Sequence, residues 1–486
     1  MILTGLAVGI ALGIVMQRGR FCVTGMLRDI FLQRSWRTFV GLLIVIAVHA
    51  VGLAALTSTG VITPTYNNFA PMAVIVGGFI FGFGIILSGG CASGTWYRSG
   101  EGLVGSWIAL ATYAISTAAM KDGALTGFTD VMFSWETELT TLPAMFGVSV
   151  WWFVIPFAAL TAYLVRRFMI LEAQRPKIAR LGNQPAWKRP LHVYTAGALI
   201  GLIGVIAWPL SAAAGRNSGL GITTPTSHTL QYATTGDESY LNWGVMLVLG
   251  ILVGSFIAAK ATGEFRVRVA DATTSVRAVV GGTMMGVGAS LAGGCTVGNG
   301  MVQTSLFSFQ GWIALLFIAI GVGVAAKIFL KPASVAKREA ATTETYSTEE
   351  SLAHATPTSA EDRVLPLNTQ DTQDTQGTGT AATPAPLGGV KVATSLVSLK
   401  PAVSEKLRDL GSGYYALDSL GAVCPFPLIE AKDVMKTLQS GDHLVIDFDC
   451  TQATDAIPQW CATDGHEVTD FKETGEASWQ ITVKKG

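Results

Sequence analysis

The 486-residue sequence predicts a multi-domain chain: a polytopic α-helical membrane protein with an inverted repeat, about nine spans and broken or re-entrant helices, followed by a small two-layer α/β domain. Three observations predict this. Long apolar runs recur through the first 330 residues, a Gly-Gly-Cys segment occurs twice, and composition shifts abruptly near residue 336. Half of the residues are apolar and only 14% are charged, well below the ~25% of an ordinary soluble domain. Basic and acidic residues tie at 33 each, which excludes a simply basic nucleic-acid binder. That neutrality sums two opposites: 21 basic and 11 acidic residues in 1–335, a net +10, against 12 and 22 in 336–486, a net −10.

The expected spans lie near 1–16, 38–57, 71–92, 103–120, 142–165, 193–210, 243–261, 278–297 and 311–330. A spanning helix needs about 20 apolar residues, and several of these runs fall short or are broken by glycine, as half-helices are. The first run has no basic residue before it, and Arg18 and Arg20 follow it, so it reads as a retained span rather than a cleavable signal. With the N-terminus outside, the loops on the cytoplasmic side hold 16 Lys or Arg and the opposite loops 2. That bias sets the N-terminus periplasmic and the C-terminal half cytoplasmic. No GxxxxGK[ST] loop occurs, and no intramembrane carboxylate stands out as a proton relay. His49 reads as a hydrogen-bonded packing residue.

Residues 82–94 (GFGIILSGGCASG) and 286–298 (GVGASLAGGCTVG) match at seven of thirteen positions with an offset of 204, including Gly89/Gly293, Gly90/Gly294 and Cys91/Cys295. Under the orientation above these segments run in opposite directions, as inverted transporter repeats do. Gly-Gly-Cys can break a helix and turn backbone N–H groups toward an anion. The competing reading is close helix packing by small residues, with Cys as a small hydrophobe. A third membrane cysteine, Cys22, sits among Arg18, Arg20 and Arg28, where an anion is welcome electrostatically. No cysteine has a CxxC partner, so metal-ligand spacing is absent and neither a metal nor another cofactor is expected.

Gly19–Asp29 (GRFCVTGMLRD) with the two Gly-Gly-Cys segments resembles the YeeE/YedE sulfur-transport membrane proteins, whose best-known activity is thiosulfate uptake. The resemblance covers about residues 1–330. It implies a bacterial inner-membrane protein with an inward-plunging Gly-Cys loop in each half, and a narrow path on which Cys22, Cys91 and Cys295 contact thiosulfate in turn. Several weak S–H contacts can release a dianion as well as bind it.

Residues 336–409 are rich in Thr, Ala, Ser, Pro, Gln and acids and are expected to be a disordered linker between a membrane domain (1–335) and a soluble domain (410–486). The soluble segment reads β-α-β-α-β-β: strands at 414–417 and 443–448, helices at 425–438 and about 454–463, then strands at 466–473 and 478–484. Pro425 suits the first helical position, which sets Cys424 at the N-cap, where the helix dipole favours a thiolate. Cys424-Pro425-Phe426-Pro427 resembles the Cys-Pro-x-Pro motif of the TusA/SirA small sulfur carriers, whose cysteine carries a persulfide; Cys424 maps onto it. Cys450 ends a strand from which it can reach Cys424 as a resolving thiol, whereas Cys461 reads as a packing residue. Structural disulfides are not expected.

Together the resemblances imply thiosulfate uptake coupled to sulfur transfer at Cys424, with persulfide formation and sulfite release by a sulfurtransferase-like domain. The implied partners are thiosulfate, the lipid membrane, the chain's own C-terminal domain docking at the cytoplasmic exit, and downstream sulfur-acceptor proteins. Two alternatives stay open: an intramembrane thiol redox relay, and transport of another sulfur or selenium oxyanion.

Overall fold

A computed structural model describes residues 2–66, 68–174, 185–330, 407–422 and 425–486. The apolar runs form α1 (Leu3–Arg18), α2 (Val23–Leu32), α3 (Arg37–Ser58), α4 (Pro71–Leu87), α5 (Ala92–Gly100), α6 (Val104–Lys121), α7 (Thr126–Phe133), α8 (Leu142–Phe146), α9 (Trp151–Ala173), α10 (Val193–Ala213), α11 (Thr223–Thr235), α12 (Trp243–Thr262), α13 (Ala272–Leu291) and α14 (Phe309–Phe329). Among the described residues seven segments, not nine, are long and apolar enough to cross a membrane. The two expected spans missing from that set are α6 and α13. Both are helical, but their many Gly, Ser, Thr and Ala residues dilute hydropathy. Two of the seven, Leu3–Leu32 and Pro71–Gly100, are interrupted, at Gly19–Cys22 and at Ser88–Cys91. These features make the N-terminal part a multi-pass membrane protein with broken helices.

Glycine decides how closely the helices approach. A Cβ on Gly77 would lie 2.7 Å from the Gly288 carbonyl oxygen, and one on Gly281 would lie 2.7 Å from that of Gly84. The pair 77/288 becomes 281/84 when the 204-residue offset is applied, so α4 and α13 cross antiparallel with reciprocal contacts. Such contact lets two apolar helices pack by dispersion without bulky side chains between them. His49, 1% exposed, faces Ser305 Oγ through Nδ1 at 3.3 Å in a packed interior.

The C-terminal part is a five-stranded sheet, in the order β1-β2-β3-β5-β4, with two helices. Its elements are β1 (Leu407–Gly411), β2 (Tyr414–Ser419), α15 (Phe426–Thr437), β3 (His443–Phe448), α16 (Ala453–Asp464), β4 (Glu467–Gly475) and β5 (Ser478–Lys484). β2 and β3 are parallel, as a crossover through α15 requires, and the other pairings are antiparallel. Leu444, Ile446, Phe448, Ile481 and Val483 pack with Leu428, Val434, Ile457 and Trp460 into one core. Cys461, 1% exposed, belongs to that core, and burial pushes its thiol up to about 12, in keeping with a packing role.

Three details differ from the sequence reading. The extra strand β1 begins inside the stretch expected to be linker; the rest of 336–409 lies outside the described residues. Helix α15 starts at Phe426, so Pro425 takes the N-cap. Pro427 then falls in the first turn, where its missing N–H is an orphan anyway. Finally, Cys450 is disulfide-bonded, where no structural disulfide is expected.

Candidate functional site: helix-break thiols and a shared chamber

Each Gly-Gly-Cys segment makes the same turn. Gly89 and Gly293 both take φ of +72°, a left-handed conformation that costs other residues about 1–2 kcal/mol. The Gly89 amide donates to the Ile86 carbonyl and the Gly293 amide to the Ser290 carbonyl, each at 3.3 Å. Beyond the turns, the Cys91 and Cys295 carbonyls accept from Thr95 and Asn299, each at 2.8 Å. Cys91 thereby becomes the N-cap of α5, and Cys295 precedes a π-helical turn at Gly298–Gln303. Gly90 and Gly294 leave room for Arg98 and Asn299, respectively, against the turns. Asn299 Nδ2 donates to the Ala292 and Gly294 carbonyls at 2.8 and 2.9 Å.

These contacts predict an asymmetry between two glycines. A Cβ on Gly293 would sit 2.5 Å from Gln310 Nε2, whereas one on Gly298 meets nothing within 4 Å. Gly293→Ala is expected to destabilise the protein by about 1–3 kcal/mol and lower its thermal unfolding midpoint in detergent. Gly298→Ala is expected to leave that midpoint within error. Equal behaviour of the two variants would contradict the turn's role.

The thiols are buried: Cys22 is 6% exposed, and Cys91 and Cys295 are 0%. Cys22 is the N-cap of α2, just after Arg20, which adopts φ of +47° to turn the chain out of α1. The Cys22, Cys91 and Cys295 thiols are all free. Cys91 Sγ lies 3.5 Å from Ser93 Oγ. The hydroxyls of Thr24 and Thr296 are buried beside the other two cysteines with no hydrogen-bond partner. Hydroxyls therefore accompany all three thiols, a pattern legible in the sequence yet overlooked.

Arg98 was also missed, because it reads as one more positive-inside charge. It is 5% exposed: Nη2 donates to Cys22 Sγ at 3.6 Å, and Nη1 donates to the Gly89 carbonyl. One guanidinium thus ties the α1–α2 break to the first Gly-Gly-Cys turn. A charged side chain inside a span is an indicator of an ion pathway.

A charged network surrounds the same end of the helices. Glu264 accepts from Gln17 Nε2 at 2.6 Å and pairs with Arg18 at 3.6 Å and Arg20 at 3.3 Å. The 264–268 segment pairs with residues 101–104: the Arg266 amide donates to the Glu101 carbonyl at 3.2 Å, and Arg268 to Gly102 at 2.9 Å. Burial, aided by Glu264 and opposed by Arg268 and Arg98, pushes the Glu101 carboxyl up to about 7.

Residues of the small domain meet this network. Arg20 pairs with Asp455 at 2.7 Å and also donates to the Thr454 hydroxyl. Gln452 Nε2 donates to Tyr97 OH at 3.3 Å, and Arg268 Nε lies 3.8 Å from Asp449 Oδ2. A cavity of about 70 Å³ is lined by Gly89, Arg98, Glu101 and Arg268 on one side and by Pro425 and Cys450 on the other. About 10–15 Å³ of such space holds one water, so the cavity suits an ion of a few heavy atoms. A second cavity of about 930 Å³ reaches Cys22 and Arg20.

The sequence-predicted residues thus separate into groups. Cys22, Cys91, Gly89 and Gly90 gather around Arg98, Cys295 with Gly293 and Gly294 forms the equivalent turn, and Arg20 anchors the charged end. Pro425 and Cys450 line the small cavity; Cys424 lies outside the described residues. No group of three or more His, Cys, Asp or Glu side chains arranged to hold a metal occurs among the described residues.

Such an arrangement defines a multi-pass membrane protein with thiols at its helix breaks, joined to a small α/β thiol domain. The family profile for sulphur transport matches residues 18–324, and that for sulfurtransferase TusA matches residues 415–485. The chain belongs to the sulphur-transport (YeeE/YedE) family and carries a C-terminal TusA domain. It is 47% identical over 341 residues to the thiosulfate transporter TsuA of Escherichia coli, covering 68% of this chain and 96% of that protein. It is 31% identical over 335 residues to TsuA of Spirochaeta thermophila, covering 66% and 97%. Its C-terminal part is 61% identical over 69 residues to Escherichia coli TsuB, named as a sulfur carrier protein, covering 14% of this chain and 92% of TsuB.

Proposed function

We propose that the chain takes up thiosulfate across the bacterial inner membrane past Cys295, Cys91 and Cys22, and passes its sulfane sulfur to Cys424 in the cytoplasm. The observation that carries this reading is the sharing of one cavity by the first Gly-Gly-Cys turn and the Cys-Pro-x-Pro loop: Gly89 and Arg98 face Pro425 and Cys450 across it. Similarity to two thiosulfate transporters supports the substrate. The contacts of Arg20 with Asp455 and of Tyr97 with Gln452 support docking of the small domain at the exit. The +10 and −10 charges of the two halves favour the same encounter.

Thiol donors suit a dianion that must be released after binding, because each S–H contact is weak and several act in series. Helix N-termini at Cys22 and Cys91 offset part of the dehydration. At the exit the Cys424 thiolate donates an electron pair to the sulfane sulfur. The S–S bond of thiosulfate breaks with its pair going to sulfite, which leaves as the dianion while Cys424 keeps a persulfide. Charge and electrons balance without a further reactant. Attack by the Cys450 thiolate on the inner sulfur of that persulfide would release hydrosulfide and leave a disulfide, which a thiol reductant reopens. Consumption of thiosulfate at the exit keeps entry downhill. Membrane and carrier domains joined through residues 336–409 would hold donor and acceptor at high effective concentration.

Uptake of sulfur-35 thiosulfate by cells that lack other sulfur importers tests the reading. Expression of the chain is expected to confer uptake; selenite uptake without thiosulfate uptake would overturn the substrate.

A further inference from the structure

We propose that Arg268 and Arg98 form a seat for a small doubly charged sulfur oxyanion in the chamber, and that Asp449 is the resident counter-ion that the anion displaces. The proposal rests on the thiosulfate reading and adds the residues that receive the ion after the thiols. Both arginines line the 70 Å³ cavity. Arg98 already bridges Cys22 Sγ and the Gly89 carbonyl, so it stands between the Cys22 thiol and the first Gly-Gly-Cys turn. The Arg268 side chain is 9% exposed, and its Nε is buried without a hydrogen bond. Its neighbour Asp449 Oδ2, at 3.8 Å, is too distant to accept one. A buried guanidinium N–H left without an acceptor is costly, and an oxyanion oxygen supplies the missing acceptor with opposite charge.

Asp449 links this seat to the sulfur-accepting loop. Its Oδ1 accepts the Gly421 amide at 2.9 Å, three residues before Cys424, while Oδ2 faces Arg268. An anion that takes Arg268 competes with the carboxylate holding that loop, so arrival of substrate is sensed where it reacts. Glu101 is the other carboxylate on the chamber wall, with Arg98, Arg268, Glu264 and Gln17 around it. With its carboxyl held near 7, it can take a proton and spare the dianion a second like charge.

Calorimetric binding of sodium thiosulfate, and separately of sodium sulfate, to the full chain in detergent tests the seat, with Cys424→Ala in every sample to prevent turnover. Arg268→Gln is expected to weaken thiosulfate binding about tenfold, the loss of one charge-assisted hydrogen bond, while Arg268→Lys stays within about threefold. Asp449→Asn keeps the acceptor for Gly421 and removes only the competing charge; it is expected to tighten binding about threefold. If Arg268 and Asp449 merely anchor the small domain, Asp449→Asn will weaken binding as Arg268→Gln does, and the seat is refuted. Unchanged binding in Arg268→Gln refutes it equally, and should that variant fail to fold, the Asp449→Asn result decides. Sulfate binding that follows this pattern without thiosulfate binding would uphold the seat and sink the thiosulfate reading.

Discussion

Cys424→Ala is expected to abolish persulfide formation while thiosulfate entry stays measurable. The separation follows from the division of chemistry. In the proposed function Cys424 supplies the nucleophile, and alanine leaves no atom that can accept the sulfane sulfur. None of the groups lining the membrane path changes. Without its sink, internal thiosulfate should rise toward the external level and then stop, so the initial rate persists while total sulfur retained falls. Mass spectrometry of the tryptic peptide containing residue 424, beside a filter assay for initial uptake, reads both quantities. Persulfide yield equal to wild type in the variant would remove Cys424 from the mechanism.

Cys91→Ala and Cys295→Ala are expected to lower initial uptake by roughly 10- to 150-fold each. Each S–H contact is weak in itself, but removing it leaves part of a dianion unsolvated in a buried constriction with no water to replace the donor, a cost of about 1.5–3 kcal/mol. Cys91 and Cys295 are completely buried at the two equivalent turns, so neither loss can be repaired by solvent. Serine at either position restores a donor in nearly the same space and is expected to recover part of the rate. A redox role predicts the opposite, because serine cannot carry electrons. Uptake within twofold of wild type for both alanine variants would show that the ion takes another route.

Much of this was legible in the sequence for physical reasons. The spans announce themselves because apolar length is set by bilayer thickness, and seven of the expected nine meet that criterion. The Gly-Gly-Cys turns are legible because φ of +72° selects glycine. In the small domain the alternation of His443–Phe448 and Ser478–Lys484 shows directly in their buried faces. β1 was missed because Leu407–Gly411 is an edge strand, almost wholly exposed, with charges at Arg408 and Asp409 and no alternation to detect. Helices α6 and α13, both expected as spans, fall below the apolar criterion because their small residues serve packing more than hydropathy.

The site was less legible than the fold. Arg98 meets Cys22 across 76 residues, and Asp449 meets Arg268 across a far longer stretch. Spacing along a chain carries no record of such encounters, which only the packing of α1, α5, the 264–268 segment and the carrier loop creates. Cysteine stood out because it is rare among apolar runs. The arginines did not, because the positive-inside pattern already accounts for basic residues near span ends.

The proposed function requires one chain both to admit thiosulfate and to remove its outer sulfur at the exit. Proteoliposomes holding the full chain with its small domain facing the lumen, given external thiosulfate labelled only at the sulfane sulfur, test it most directly. Label is expected on the peptide containing Cys424 and unlabelled sulfite inside the vesicles, both dependent on Cys91. Label that enters as intact thiosulfate and never reaches Cys424, with no internal sulfite, would contradict it.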